Sequence, residues 1–227
     1  MLKKYKKTLI VTSLLLLLPM FAGLLLWNRL PEQVPMHWNI SGEVDGWGSR
    51  AMLVFFLPLF MLAMQWICTL AMFADPKFRN QSEKPVFLVL WIVPLIELVA
   101  MGTSFMAAFG IPMQIHYVMI PVMGILFLAI GNYLPKCRRN YTIGIKIPWT
   151  LNDDENWVKT HRLAGIIWSI GGALILLTVF LPTKLAFVVF MTIVMAMILA
   201  PIGYSYLHYR RHGAAGGSIS AEEETAE

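Results

Sequence analysis

The sequence predicts an all-α membrane protein of six transmembrane helices with both termini in the cytoplasm. Of its 227 residues, 58% are hydrophobic and only 14% charged, with a mean hydropathy of +0.65, whereas a soluble domain carries about 25% charged residues. The apolar residues collect in six runs, each near the roughly 20 residues that cross a bilayer core as helix. None shows the period-2 polar interruption of a barrel strand. Of the 18 Lys and Arg side chains, only Arg29, Arg50 and Lys184 fall in the connections that would lie outside if the N-terminus is inside. The positive-inside rule therefore assigns both ends to the cytoplasm.

The first run, residues 8–27, follows Lys3, Lys4, Lys6 and Lys7 and continues past Leu14–Leu18 without a small-x-small cleavage site, so it reads as a retained helix and not a signal peptide. The outer loop, residues 28–50, holds Pro31, Pro35, Ser41-Gly42 and Asp45-Gly46, which predict a folded cap of defined turns. Trp38 and Trp47 are expected at the outer interface. The spans at 51–73, 86–109, 116–134, 163–181 and 185–207 follow, with tight outer turns at Gly110-Ile111-Pro112 and Pro182-Thr183-Lys184. Pro19, Pro58, Pro94, Pro121 and Pro201 lie within five of the spans and tend to kink them. The fifth has Gly165, Gly171 and Gly172 instead, which let a neighbour approach closely.

The inner loop, residues 135–162, is the longest connection and is shorter than the roughly 50 residues a separate domain needs. Residues 1–212 thus read as one polytopic domain, and the Gly/Ala/Ser/Glu stretch 213–227 as a disordered acidic tail. The excess of basic side chains suits inner loops held against an anionic leaflet better than direct nucleic-acid binding. In the second half of the inner loop, Thr150 or Asn152 is placed to cap a helix whose first turn carries Asp153, Asp154 and Glu155. Trp157 and His161, four apart, then share one face leading into the fifth span.

Candidate functional residues fall in three places. In the outer loop, His37, Trp38, Asn39, Gly42, Asp45 and Gly46 form a binding set. His37, Glu43 and Asp45 match no established ligand spacing, so no metal is expected. Inside the membrane, Glu97 lies midway along the third span, where a charged group costs about 2.5 to 3.5 kcal/mol on insertion scales. Gln65 of the antiparallel second span reaches a similar depth and is its expected partner. In the inner loop, Asn132, Pro135, Lys136, Asn140, Gly144, Lys146, Pro148, Trp149, Thr150, Trp157, Thr160 and His161 read either as an interfacial anchor or as a docking surface. Cys68 and Cys137 do not suggest a structural disulfide. Neither a nucleophile with its base nor a zinc pattern stands out, so no catalytic residue and no cofactor is expected.

Two stretches carry a resemblance. The inner segment Gly131-Asn132-Tyr133-Leu134-Pro135-Lys136, with Asn140, Gly144, Pro148-Trp149-Thr150-Leu151, Trp157 and Thr160-His161-Arg162, resembles the signature of the SdpI family of bacterial multi-pass immunity proteins. Lys146 stands where that signature usually has Arg. The outer segment Pro35-Met36-His37-Trp38-Asn39 through Gly42, Asp45 and Gly46 is similar to an uncharacterised module found at the N-terminus of longer members.

The resemblance implies a bacterial plasma-membrane protein that protects its producer against a secreted peptide toxin of the killing-factor type and captures a transcriptional repressor at the membrane. Two other readings stay open beside it. One is a small-solute or proton-coupled transporter, supported by Glu97 and the kinked helices; the spans show no inverted repeat, so an oligomer would have to supply the pathway. The other is an intramembrane enzyme.

Overall fold

The computed structural model describes residues 2–78 and 81–224. Arg79, counted above among the inner basic residues, and Glu227 of the acidic tail lie outside the described residues. In chain order the elements are α1 (Leu2–Leu25), β1 (Gln33–Trp38), β2 (Val44–Ser49), α2 (Leu57–Ala74), α3 (Glu83–Ala108), α4 (Ile115–Tyr133), α5 (Pro148–Asn152), α6 (Asp154–Leu177) and α7 (Thr183–Glu224). Every helix except the short α5 is long and apolar enough to cross a membrane. Leu14, Phe21, Phe56, Ile125, Ile166 and Leu199 are among the large apolar side chains left exposed around the outside, as contact with a lipid bilayer requires.

The helices form two groups of three, α1–α2–α3 and α4–α6–α7, which meet chiefly along α3 and α4. In the second group the closest approach is between α4 and α6, and its cause is composition. A Cβ on Gly172 would stand 2.7 Å from the Gly124 carbonyl oxygen, and one on Gly131 would stand 2.6 Å from the Ser169 nitrogen and 2.9 Å from the Gly165 carbonyl oxygen. Small residues seven apart on both helices thus let the backbones touch. Gly171 faces the other way, where a Cβ would strike Met197 of α7.

Three expectations are corrected. The connection after α1 is a β-hairpin, not turns alone. Pro58 enters α2 at its first turn, behind a π-helical turn over Met52–Phe56; the wider turn relieves the clash its ring would make with the carbonyl four residues back. The N-cap of α6 is Asp153, whose side chain accepts from the Glu155 and Asn156 N–H groups, while Thr150 lies inside α5. Separately, α7 is helical through Glu224, although Gly213, Gly216 and Gly217 in this stretch are weak helix formers.

Candidate functional site

Polar side chains gather at both ends of the bundle, and each end is built differently. At the basic end, the chain between α4 and α6 is a folded plug. Asn140, 1% exposed, organises its first turn. Its carboxamide oxygen accepts from the Thr142 and Ile143 N–H groups at 2.8 and 2.6 Å, and its amide donates to the Arg138 and Ile143 carbonyls at 2.7 and 2.8 Å. Gly144 follows at φ 118°, where a Cβ would lie 2.5 Å from His161 Nε2, so both conformation and space call for glycine.

The neighbouring Ile145 N–H donates to His161 Nε2 at 2.9 Å, and His161 Nδ1 lies 2.8 Å from the Trp157 carbonyl. A carbonyl only accepts, so the proton sits on Nδ1 and the imidazole is neutral. The Trp157 ring stacks on it at 4.1 Å and donates its Nε1–H to the Cys137 carbonyl at 2.9 Å. The Thr150 hydroxyl, wholly buried, reaches the Ile145 carbonyl at 2.7 Å and receives the Ile147 N–H at 3.2 Å.

The plug is tied to both helix groups. Asp75, at the end of α2, accepts from the Tyr141 N–H and the Thr142 hydroxyl. Gln81 clamps the Arg138 main chain, accepting its N–H at 3.0 Å and donating to its carbonyl at 3.2 Å. Ile143 packs against the cluster of Tyr5, Met72, Phe78 and Val86. On the other side, Asn156 donates to the Ser205 carbonyl of α7 and accepts from the Thr160 and Ser205 hydroxyls. Asn140, Thr150, Trp157, Thr160 and His161 are therefore buried and satisfied internally. Asn132, Pro135, Lys136, Lys146 and Pro148 are exposed. Trp149 is half-buried against Tyr206 and Tyr209 of α7.

At the opposite end, β1 and β2 pair antiparallel, with Gln33 opposite Ser49, Pro35 opposite Trp47 and His37 opposite Gly46. The turn is closed by Asn39, whose side-chain oxygen accepts from the Ser41 and Glu43 N–H groups at 2.8 and 3.1 Å. Gly42 takes φ 81°. A Cβ on Gly46 would stand 2.7 Å from that of His37, so the cross-strand position needs glycine. The hairpin is held at its base, where the Arg50 guanidinium donates to the Trp27 and Leu30 carbonyls. Below it, Val34 is buried with Leu53 and Met101.

Under this hairpin lies a cavity of about 820 Å³, walled by the hairpin and the adjoining ends of α2, α3, α4 and α7. Its walls include Met36, Met101, Met119 and Met123, with Phe187 and Phe190. Its polar groups sit toward the hairpin: Asn39, His37 paired to Asp45 at 2.5 Å, and His116 facing the Thr183 hydroxyl at 3.3 Å. Five of the six outer-loop residues singled out from sequence, His37, Trp38, Asn39, Gly42 and Asp45, line it, and Gly46 supports them from the second strand.

Gln65 and Glu97 are not partners. Gln65 donates to the Leu90 carbonyl at 2.9 Å, whereas neither carboxyl oxygen of Glu97, 5% exposed, has a hydrogen-bond partner among the described residues. Counting residues along antiparallel helices gives depth and not rotation about the axis.

Residues 136–205 match the SdpI/YfhL protein family. Residues 14–62 match a domain of unknown function, DUF1648. The chain is also 21% identical over 203 residues, covering 89% of this chain and 96% of the relative, to the immunity protein SdpI of Bacillus subtilis (strain 168). No solved structure matches it. With its six helices long and apolar enough to span a membrane, the chain is a multi-pass plasma-membrane protein similar in part to the SdpI/YfhL family.

The SdpI/YfhL match runs from the plug through α6 and the first half of α7, and the DUF1648 match takes in the second half of α1, the hairpin and the start of α2. The cavity draws walls from both, and α3 and α4 complete it. Sequence reasoning missed Asp75, Gln81, Asn156 and Ser205, which tie the plug to the helices, and His116, Thr183 and Ser104 in the cavity. Asp75, Gln81, Asn156, Ser205, His116 and Thr183 each have a hydrogen-bond partner 49 to 67 positions away in the chain.

Proposed function

We propose that this is an immunity-type membrane protein that protects its cell by engaging a secreted toxin in the hairpin-roofed cavity. The reading rests on that cavity, which lies at the end of the bundle that the distribution of Lys and Arg assigns to the outside. Its volume falls in the roughly 300 to 1,000 Å³ range of ligand sites, and it combines an apolar interior with a few convergent polar groups. The likeness to the Bacillus subtilis immunity protein over nearly the whole of both chains supports the same role. At the basic end, the surface offered to a cytoplasmic repressor is Trp149, Asn152, Lys146 and Arg138, because the buried plug residues present nothing outward.

The test is survival of cells challenged with the cognate toxin. Expression of the wild-type chain is expected to protect. Trp38→Ala and Asp45→Ala are expected to lower protection at unchanged membrane abundance, and full protection by both variants would remove the function from this end.

A second reading, proton-coupled transport, is favoured by one observation, the unpartnered Glu97 carboxyl within the membrane. Under the immunity reading Glu97→Leu keeps protection and, by removing an unsatisfied buried polar group, raises thermal stability. Loss of a pH-driven solute flux in proteoliposomes carrying that variant would instead establish transport.

A further inference from the structure

We propose that the cavity seats only a short, uncharged, apolar peptide tip, with the main-chain polar groups of that tip held at the hairpin rim; this inference rests on the immunity reading and narrows its ligand. The volume sets the first limit. About 820 Å³ accommodates a drug-sized group and so a few side chains, whereas a peptide helix long enough to span a bilayer core has a diameter of about 10 Å over a length of about 30 Å. The rest of a longer ligand lies outside the cavity.

The walls set the second limit. Four methionines, from β1, α3 and two successive turns of α4, line the cavity together with Phe187 and Phe190 of α7. Thioether side chains are unbranched and polarizable and adapt to irregular apolar partners. The interior wall supplies no charged side chain; the carboxylate of Asp45 is at the rim and already paired with His37. A charged group carried to the floor would be desolvated without a counter-charge, at a cost of several kcal/mol.

The rim distinguishes a peptide from a lipid tail. An acyl chain has no hydrogen-bonding groups, while a peptide tip brings main-chain N–H and C=O groups that must be satisfied where water is excluded. The rim offers both kinds of partner. The Asn39 carboxamide, the His116 imidazole and the Thr183 hydroxyl line it, with Ser104 on the α3 wall. The Asn39 oxygen is used by its own turn, which leaves its amide, directed at Glu43 at 3.3 Å, and the His116–Thr183 pair at 3.3 Å, as the adjustable groups.

The experiment uses the full chain in nanodiscs of phosphatidylethanolamine and phosphatidylglycerol. The probe is a fluorescein-labelled capped peptide of alternating Leu and Phe, four residues long, and binding is followed by fluorescence anisotropy. Saturable binding is expected. It should fall at least about tenfold when one Leu is replaced by Asp, and by a similar factor in Ala100→Phe and Met123→Trp, which fill the floor from different helices. His116→Leu should weaken the peptide severalfold, and dodecanol should fail to displace it.

Equal binding of the Asp-containing probe, unchanged binding in both filled variants, or full displacement by dodecanol with no effect of His116→Leu would each overturn the proposal. Thermal melting of each variant separates a filled cavity from an unfolded chain. If the probe seats as described and cells gain no protection, the immunity reading fails while the site stands. If cells are protected and Asp is tolerated in the probe, this inference alone fails.

Discussion

The Asp75 carboxylate accepts the Tyr141 main-chain N–H at 2.7 Å, joining two residues 66 positions apart in the chain. Asp75 ends α2, and Tyr141 belongs to the plug that leads into α6. The two helix groups, separated by a cavity at the hairpin end, are thus fastened at the basic end by this bond and by the Gln81 clamp on Arg138. Asp75→Ala leaves the Tyr141 and Lys77 N–H groups without their acceptor, and hydrogen bonds to charged groups contribute about 1.5 to 3 kcal/mol each. A clear drop in the thermal unfolding midpoint is expected, with Asp75→Asn intermediate. An unchanged midpoint in Asp75→Ala would show that the fastening contributes nothing.

Two glycine substitutions should move stability in opposite directions. Gly172→Ala places a Cβ 2.7 Å from the Gly124 carbonyl oxygen, a backbone atom with no room to yield, and overpacking of this kind costs about 1 to 3 kcal/mol. Gly102→Ala meets nothing within 4 Å and gains about 1 kcal/mol of helix propensity. Melting of the two variants in one detergent is the check. A neutral Gly172→Ala would mean that α4 and α6 separate freely.

The spans were legible because twenty apolar residues in a row admit few other structures, and Gly165, Gly171 and Gly172 together announced a close neighbour. The hairpin was not. Its strands contain Pro35, Gly46 and Gly48, poor strand formers, and it is held by burial of Val34, by Arg50 and by the Asn39 turn. Glu97 and Gln65 were placed at a common depth, which the 1.5 Å rise gives, but whether they face each other depends on helix rotation, which residue counting does not supply. The plug residues were recognised as important, yet only the structure separates those that hold the loop together from those that face outward.

Burial pushes the Cys137 thiol up to about 12 from an ordinary value of 9.0. The neutral thiol is therefore favoured by the folded chain; that contribution to stability is fully present below pH 9 and is lost as the pH rises through 12. At pH 8 a maleimide should label Cys137 only after unfolding in dodecyl sulfate, because the thiolate is the reactive form. Exposed Cys68, within α2, should be reached in the folded protein by membrane-permeant reagents. Rapid labelling of folded Cys137 would contradict its burial.

Orientation is checked with reporters. Fusions after Lys84 and Asn152 should report the cytoplasm, and an insertion near Gly42 should report the exterior, as the distribution of Lys and Arg requires. An external signal at Asn152 would invert the bundle and place the cavity inside the cell.

Substitutions in the basic-end plug should divide by burial. Thr150→Val preserves shape while removing the acceptor of the Ile147 N–H and the hydroxyl that reaches the Ile145 carbonyl; Asn140→Ala strips a turn of four main-chain partners. Unsatisfied buried groups cost about 1 to 3 kcal/mol apiece, so both variants should lose thermal stability and membrane abundance together with function. Trp149→Ala and Asn152→Ala, by contrast, alter the half-buried and exposed face toward α7, and should leave abundance near wild type while weakening recruitment of a cytoplasmic partner. Arg138→Lys should be mild, because Gln81 holds the Arg138 main chain and not its side chain. All five proteins belong in the same membrane preparations, scored for protein level, melting and recruitment. If Thr150→Val and Asn140→Ala abolish recruitment at full abundance and stability, the plug residues themselves contact the partner and the division by burial is wrong. If only the combined removal of Lys136, Arg138 and Arg139 has an effect, the basic end serves as an electrostatic anchor to anionic lipid.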